Sequence, residues 1–535
     1  MNRHTITAFV LVFAMVFSMA ACGAKSETPS QASAPAETTS PSASPETTAA
    51  PAAEVHYAAD ADTIVLCMGD ETPSVTAREH NARAGSFINN LTYEQLMALD
   101  DNLTPQPHLA ESYEYEEQAD GSVLWTFYLR KGVKFHDGTE MKAVDVVASL
   151  NEAKESPDVA AAAREYDNVT AVDDYTVTMT TAKPSAGLLF DLSGHGNAIV
   201  PAALIESGND FNSNPVGTGP YVFKEWKISE YLTFERFEDY WGEKAKVKNI
   251  VWKVIPEGSA RTIALQAHEV DMIVDLDSND QNLIMEDPTL SIVKQDGLAH
   301  SWLTINNQKK PFDNQLVRKA MNAAINKEDC VTVALNGCGI VAPAQTPKGL
   351  MGFDATGMDP YDVELAKKYE EESGVDLSTV SFVVICSDDT KRRAAQVIQS
   401  NLNDTFGMNV ELTSMDLATY LSETAAGNFE GFIGGYNSSD MTSFLKGLYH
   451  SESIGGSNKT RTNDPALDEM ITKACATVDN TDREEQLKAI SRYLNDLCAQ
   501  IPLYQNGVLA AHASALQNVT INPAYRFYPE KWSWE

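Results

Sequence analysis

The sequence carries few side chains whose type and spacing predict covalent or metal chemistry. It contains no HExxH zinc motif, no GxSxG nucleophile turn, no GxxxxGK(S/T) phosphate loop and no GxGxxG dinucleotide motif. The phrase 217–219 (GTG) begins like a glycine loop, but Pro220 and Tyr221 interrupt it. The ten histidines are scattered, and no Cys–His cluster has zinc-site spacing. The sequence therefore predicts no cofactor, no metal centre and no enzymatic activity.

One cysteine lies where bacterial lipoproteins are modified. After a short positive start, residues 6–19 form an uncharged apolar run that is too short to span a membrane comfortably. The run ends in residues 19–23 (MAACG), which resemble a lipobox with Met19 in place of the usual Leu. This pattern predicts that residues 1–21 are a signal peptide and that Cys22 receives the acyl chains that anchor the protein. The alternative is an ordinary signal peptide followed by an incidental cysteine.

The segment after Cys22 has a composition that cannot form a core. Residues 26–53 contain only Ala, Ser, Thr, Pro, Glu and one Gln. Scattered prolines favour extended backbone, and no aliphatic side chain is larger than alanine. We interpret residues 22–54 as a lipidated, disordered tether that holds a folded body away from a membrane.

Length and charge narrow the class of the folded body. The chain has 535 residues, 43% hydrophobic residues and a formal charge of −35. The apolar content is that of a globular protein, and the length predicts more than one core. The acidity argues against nucleic acid as a partner, because phosphate binding needs clustered Lys and Arg.

The pattern of elements predicts a mixed α/β protein. In the first third, residues 62–68 form a short apolar strand, residues 123–130 alternate as a strand, and residues 142–155 have helical spacing. In the second half, residues 381–386 and 409–412 are predicted strands that flank a helix near residues 393–402. The order strand–helix–strand favours a mostly parallel sheet there.

Helix termini are predicted in four places. Phe312 and Asp313 open one helix, residues 463–465 (NDP) open another, and Thr481 with Glu484 forms a capping box for the next, which Pro502 ends. The tail from Asn506 onward lacks helix signals, and we expect it to return to the first domain.

Six cysteines remain if Cys22 is lipidated. Export permits disulfides without requiring them, and two pairs are close enough to be candidates, Cys330 with Cys338 and Cys475 with Cys498. Spacing establishes neither pair. We expect most of the six to be small buried hydrophobes.

Four phrases in order resemble the peptide/nickel class of bacterial extracytoplasmic solute-binding proteins. Behind the lipobox, they are residues 109–113 (LAESY) with 125–138 (WTFYLRKGVKFHDG); 214–221 (NPVGTGPY); 302–307 (WLTINN), 311–312 (PF) and 317–326 (VRKAMNAAIN); and 501–504 (IPLY). The resemblance covers the chain from about Val55 to its end.

The resemblance implies a two-lobed fold of the periplasmic-binding-protein type (type II), with a hinged ligand cleft and an extra N-terminal subdomain. Lobe one would comprise residues 55–299 and 506–535, with the subdomain at about 88–184. Lobe two would comprise residues 301–503, and the crossings would lie near 300–302 and 504–506.

The resemblance also implies where a ligand binds. Peptide-binding members hold the ligand's amino terminus with an Asp in a phrase like W-x-x-D-Y-x-D-P. Aligning on residues 443–445 (SFL) places Gly434 at the Trp, Asn437 at that Asp and Asp440 at the second acid. Asparagine supplies no counter-charge, so either Asp440 takes over or the ligand lacks a free amine. The structural alternative is an exposed linker in which Asp440 only caps a helix.

Other cleft candidates lie nearby in sequence. We expect a ligand role for at least one of Tyr436, Asn437 and Asp440. Trp302 and Tyr504 at the crossings either stack on a ligand or pack the hinge. Asn458 and Arg461 lie in a Gly/Ser/Asn-rich loop, where Arg461 is either a partner for a ligand carboxylate or a surface arginine.

Together these features predict a monomeric substrate-binding lipoprotein of an ABC importer. It would sit on the outer face of the cytoplasmic membrane on its Cys22 anchor, or in the periplasm if the cell has an outer membrane. There it would capture a small solute, by default an oligopeptide or dipeptide, and deliver it to permease subunits served by ATPase subunits. The alternatives are a non-peptide solute such as an oligosaccharide or metal chelate, or a receptor for a signalling peptide. An exported hydrolase is a third alternative, against which the lack of a catalytic motif argues.

Overall fold

The computed structural model describes residues 62–80 and 82–535. The predicted signal peptide, Cys22 and the tether lie outside the described residues, as do residues 55–61 of the predicted first lobe.

The described chain contains strands and helices throughout its length. The strands are β1 (Thr63–Met68), β2 (Met97–Leu99), β3 (Pro105–Pro107), β4 (Ala110–Glu117), β5 (Val123–Leu129), β6 (Asp167–Asp173), β7 (Thr176–Thr181), β8 (Tyr221–Lys227), β9 (Tyr231–Arg236), β10 (Asn249–Val254), β11 (Met272–Ile273), β12 (Leu290–Ile305), β13 (Gly339–Val341), β14 (Ser381–Cys386), β15 (Asn409–Ser414), β16 (Gly431–Tyr436), β17 (Gln500–Ala513), β18 (Leu516–Gln517) and β19 (Ser533–Trp534). The helices are α1 (Arg83–Thr92), α2 (Ala143–Glu155), α3 (Gly187–Asp191), α4 (Ala202–Glu206), α5 (Gly258–Gln266), α6 (Gln281–Met285), α7 (Gln315–Ala324), α8 (Lys327–Leu335), α9 (Val363–Ser373), α10 (Asp389–Phe406), α11 (Leu417–Ala426), α12 (Met441–Tyr449), α13 (Pro465–Ala476) and α14 (Asn480–Leu497).

The largest sheet has eleven strands and two halves. Its order is β15-β14-β16-β12-β17-β11-β1-β10-β9-β8, with β13 paired to β17. The strands β12 and β17, of 16 and 14 residues, pair antiparallel and join the two halves; we call this pair the crossing ribbon. Its register is interrupted between Asp296 and His300 and again between Ser301 and Trp302. The predicted crossings lie at and beside these irregular positions.

Side chains alternate across the second half of the sheet and so face two cores. Leu303 and Ile305 of β12 pack with Phe382, Val384 and the helices α7 to α10. Trp302, one residue away on the same strand, faces the other side and packs with residues of α12, α13 and α14. The sequence forms this sandwich because β14 and β16 are short apolar runs that bury both faces.

The first half of the sheet carries its own core and the chain's last segment. Ile64, Leu66 and Trp252 pack with Phe527 and Trp532 from beyond β17. The expected return of the C-terminal tail to the first part of the chain is therefore observed.

A separate four-stranded sheet lies in the N-terminal third, in the order β4-β5-β7-β6. Its strand β5 alternates as predicted, with Val123, Trp125, Phe127 and Leu129 buried against α2. The helix α2 and the strands β1, β14 and β15 also lie where the sequence predicts them.

Three predicted helix boundaries are wrong. The helix α7 begins at Gln315 and is capped by Asn314, not by Phe312 and Asp313. Asp479 rather than Thr481 caps α14, because its carboxylate accepts hydrogen bonds from the amides of Thr481 and Asp482. That helix ends at Leu497 and is followed by Cys498 in a left-handed conformation, whereas Pro502 lies within β17. The predicted start of α13 is confirmed, with Asp464 as its cap and Pro465 in the first turn.

The six cysteines of the described residues form no disulfide, and five of them are buried. The two candidate pairings are not formed, and the expectation of small buried hydrophobes is confirmed. Among the described residues, no helix combines the length and the hydropathy that a membrane span requires.

Candidate functional site

The carboxyl ends of the parallel strands in both halves of the sheet point toward the crossing ribbon. In the second half, β16 runs parallel to β14 and ends at Tyr436, which pairs with His300 of the ribbon. In the first half, β11 runs parallel to β1, and the chain after it reaches Leu276, whose amide donates to the Leu509 carbonyl. Because open α/β sheets bind ligands at the carboxyl ends of their strands, the two edges define the candidate site.

The loop after β16 holds three of the predicted site residues. Tyr436 is 37% exposed, and Asn437 is exposed as well. Asp440 caps α12, and its Oδ2 accepts hydrogen bonds from the Ser443 amide at 2.7 Å and from the Thr442 hydroxyl. The structure thus gives Asp440 the capping role that the sequence left as an alternative, and it leaves Asn437 facing solvent.

A cavity of about 320 Å³ opens beside Gly434 in the second half of the sheet. Gly434 lines it together with Trp302 and Tyr436, two of the predicted candidates. A Cβ atom on Gly434 would lie 2.9 Å from Trp302 Nε1 and 3.0 Å from Thr304 Oγ1. The absence of a side chain at this position therefore makes the space. The wall is otherwise largely aromatic and aliphatic, formed by Tyr420, Leu421, Phe432 and Leu448.

The two crossing aromatics face different surroundings. Trp302 is buried and packs among aromatic rings, tilted against His300 with the centroids 5.3 Å apart and edge to face with Phe444 at 6.0 Å. Tyr504 is buried in the core of α7 to α10 and does not line the cavity. Burial raises the pKa of the Tyr504 hydroxyl well above its usual range, although a hydrogen bond with Ser301 lowers it. The structure therefore brings Trp302 to the cavity and places Tyr504 behind the sheet.

The loop between α12 and α13 holds the other two candidates. Asn458 is fully buried, and its amide donates to the carbonyls of His450 and Thr462. Arg461 has a positive φ of 59° and donates to the Ala425 carbonyl at the end of α11. These hydrogen bonds hold the loop against α11. Asn458 and Arg461 therefore position the neighbouring loop residues that line the cavity.

Sequence reasoning missed Lys459, which lies between these two residues and lines the cavity. It is half-buried, and its pKa is lowered by burial and by the neighbouring Arg461 guanidinium. No motif in the sequence singles out Lys459, because the loop 458–462 (NKTRT) is polar throughout and the burial of Asn458, Thr460 and Thr462 is seen only in the folded chain.

A second cavity, of about 330 Å³, lies between the two halves on the other side of the ribbon. Asn336 donates to Asn279 across it at 2.9 Å. Arg393 also lines it, and the guanidinium donates to the carbonyls of Val333 and Ala334. This cavity is polar, and no motif in the sequence predicts it because its lining comes from four separate segments of the chain.

A crevice lined by both acidic and basic side chains lies where the N-terminal third approaches α12. Asp191 lines it with Lys183 and Lys446. Burial, together with the carboxylates of Glu165 and Asp440, raises the pKa of Asp191 to about 8. Within residues 62–80 and 82–535, no cluster of His, Cys, Asp and Glu side chains has the arrangement of a metal site.

Comparison with known proteins places this architecture in one family. Residues 104–456 match the family model described as bacterial extracellular solute-binding proteins, family 5 middle. Heme-binding protein A of Haemophilus influenzae is 27% identical over 432 residues, which cover 74% of this chain and 78% of that protein.

Two solved structures share the fold. The periplasmic binding protein DppA of Helicobacter pylori, in complex with the peptide STSA, is 26% identical with a TM-score of 0.65, covering 88% of this chain and 98% of that one. The murein tripeptide binding protein MppA, in an unliganded open form, is 21% identical with a TM-score of 0.79, covering 89% and 98%. The chain belongs to the family 5 bacterial extracellular solute-binding proteins, with a mixed α/β fold of the type II periplasmic-binding-protein kind.

Proposed function

We propose that this protein captures a small peptide-like solute between two lobes and delivers it to the permease of an ABC importer. Lobe one comprises residues 55–299 and 506–535, with its extra subdomain at about 88–184, and lobe two comprises residues 301–503. The protein binds its solute without converting it. It works as a monomer on the outer face of the cytoplasmic membrane, held there by lipid on Cys22.

One observation carries this proposal: the carboxyl edges of two half-sheets face each other across the crossing ribbon. A solute held between such edges contacts both halves only when they approach, so binding drives closure about the ribbon. The interrupted register near His300 supplies the place where the ribbon can bend. The TM-score is higher against the open form of MppA, 0.79, than against the peptide complex of DppA, 0.65. This difference supports an arrangement of the two halves that can still close.

The relatives support a peptide as the default solute, since a protein 26% identical to this chain was solved with a bound tetrapeptide. The amine end of such a peptide meets an unusual loop here. Asn437 has no charge, and Asp440 Oδ2 is already engaged in capping α12. We therefore infer that the solute's ammonium group, if present, is recognised weakly.

A non-peptide solute is the second candidate. A relative named for heme binding covers 74% of this chain at 27% identity, so the fold accommodates other ligands. The aromatic wall beside Gly434 favours this candidate because it suits a flat or apolar group as well as a side chain.

Mass spectrometry of solute released from natively purified protein tests the proposal directly. We expect to recover a peptide or a peptide-like small molecule. If the protein converts the recovered solute to a different product on incubation, the binding role is contradicted.

Calorimetric titration of one tripeptide, with a free or an acetylated amino terminus, tests how the amine is recognised. We expect acetylation to weaken binding to the natural protein less than about tenfold. In Asn437→Asp, the added carboxylate should make the protein bind the free-amine tripeptide more than about tenfold more tightly than the acetylated one. A strong free-amine preference in the natural protein would contradict the inference and indicate that another acid, such as Asp440, supplies the charge.

A further inference from the structure

The cavity beside Gly434 has an electrostatic character opposite to that of the chain. The protein carries 75 acidic and 40 basic residues, yet Lys459 is the one charged side chain that lines this cavity among the described residues. Lys459 forms no ion pair with a carboxylate of the described residues, and the charged group acting on it is Arg461, another cation. A half-buried lysine whose ammonium has no counter-ion is available to an anion.

A buried hydroxyl in the same cavity also lacks a partner. Thr304 is 1% exposed and lines the cavity, and its Oγ1 has no hydrogen-bond partner among the described residues. Buried hydroxyls are almost always hydrogen-bonded in native proteins, so an unpartnered one facing a cavity points to a ligand. The indole Nε1 of Trp302 lies at the same place, near the position that a Gly434 side chain would occupy.

The polar groups are set in an apolar wall. The rings of Tyr420 and Phe432 approach each other edge to face at 5.5 Å, and Leu421 and Leu448 complete that side. Such a wall favours an aromatic or aliphatic body, while Lys459, Thr304 and Trp302 offer donors to a terminal oxygen.

We propose that this cavity is a subsite for a solute group that has an apolar body and ends in a carboxylate, with Lys459 as its counter-ion. The inference rests on the proposed solute-binding function and adds the charge of the group that is recognised. In a peptide, the carboxylate comes either from an acidic side chain or from the carboxyl terminus; both present the same chemistry to Lys459.

Fragment binding tests the subsite without knowledge of the solute. The probes are phenylacetate and its neutral counterpart phenylacetamide. Ligand-observed NMR titration measures the affinity of the full mature protein for each. We expect phenylacetate to bind at least about tenfold more tightly than the amide, the factor that one charge-assisted hydrogen bond contributes. Lys459→Met abolishes this preference, and the matched variant Lys473→Met, on the exposed face of α13, keeps it. Equal binding of the two fragments to the natural protein overturns the proposal, whether or not any variant folds.

A second variant checks the location. Gly434→Ala places a methyl group against Trp302 and Thr304, so it weakens phenylacetate binding while leaving Lys459 intact. Unchanged binding in Gly434→Ala overturns the assignment to this cavity.

Peptides then separate the two sources of the carboxylate and the two hypotheses. Ala-Glu-Ala is compared with Ala-Gln-Ala, and each with its carboxyl-terminal amide. If changing Glu to Gln lowers the affinity only when Lys459 is present, the carboxylate bound in the subsite is that of the acidic side chain. If amidation lowers the affinity in the same Lys459-dependent way, it is that of the carboxyl terminus. If peptides bind but Lys459 influences the effect of neither change on affinity, the subsite proposal is wrong and the peptide-binding function is supported. If no peptide binds but phenylacetate binds in a Lys459-dependent way, the subsite proposal is supported and the peptide-binding function is contradicted.

Discussion

The carboxylate of Glu94 fastens the N-terminal third to the large sheet, and its replacement by glutamine is expected to destabilise the protein strongly. Glu94 is 4% exposed. Its Oε1 accepts from Tyr240 at 2.7 Å and pairs with His108 at 2.9 Å, and its Oε2 accepts from Thr218 and Trp241, both at 2.8 Å. Four donors thus converge on one buried anion.

The magnitude follows from which bonds glutamine can keep. In Glu94→Gln, one oxygen retains two donors, but the new amide faces the indole of Trp241, which can only donate. The Thr218 hydroxyl can reverse and accept. One of the four hydrogen bonds is lost outright and the other three lose the assistance of the charge. Less the saving from not burying a charge, this leaves a loss of about 3 kcal/mol in unfolding free energy.

Equilibrium unfolding in urea, followed by tryptophan fluorescence, measures this loss. The matched control is Glu111→Gln on the exposed start of β4, which should change the unfolding free energy by less than about 0.5 kcal/mol. If Glu94→Gln stays within the same limit, the reasoning that this carboxylate joins the two parts is refuted.

The pH dependence of the same pair of proteins gives a second check. Burial opposes ionisation of Glu94, but the hydrogen bonds from His108, Trp241 and Tyr240 prevail and hold its pKa below the ordinary 4.5. A lowered pKa stabilises the fold above the unfolded value, and this contribution disappears as the pH falls through the folded value. The difference between the natural protein and Glu94→Gln should therefore begin to shrink as the pH falls below about 4.5, the unfolded value. A difference that does not decrease between about pH 5 and about pH 3 would contradict the assignment.

Two further substitutions follow from close contacts and buried charge. Gly217→Ala should destabilise the fold by about 1–3 kcal/mol in urea unfolding, because the new Cβ collides with the Thr92 carbonyl, whereas Gly187→Ala meets only ordinary contacts and should be neutral or slightly stabilising; equal effects would contradict this account. Asp191→Asn should raise the melting temperature increasingly as the pH rises from about 4 to about 8, because a raised carboxyl pKa makes the natural fold lose stability over that window. A melting-temperature difference independent of pH would show that Asp191 ionises freely.

Local patterns in the sequence predict the elements well where one physical signal dominates. Large apolar residues at every second position predict β5, and a short apolar run predicts β14. Asp464 followed by Pro465 predicts the start of α13. The predicted cap of α14, Thr481, is wrong because Asp479 and Thr481 are both good capping residues two positions apart. Sequence alone does not decide between two such caps, since the choice depends on where the preceding loop enters.

The candidate site is less predictable because sheet register assembles it. Trp302 was identified from its position at a crossing, but Gly434 lies opposite it only through the pairing of β12 with β16, about 130 residues apart in the chain. Tyr504 and Trp302 were equivalent by position, yet the alternation of side chains along the ribbon sends Tyr504 into the other core. The cavity arises from a missing side chain, which no motif records, and Lys459 becomes significant only once that space is seen.

The position of β17 also has a consequence for how the protein reaches its native state. This strand lies between β12 and β11, so it belongs to both half-sheets, and its partners in the ribbon precede it by about 200 residues. Neither half-sheet is complete until residues 500–513 have joined it. Such distant pairing makes folding slow, and a chain waiting for a late central strand stays unfolded longer during synthesis. The same strand that joins the two halves of the sheet thus delays folding, which suits a protein whose predicted route leads through a membrane before it folds.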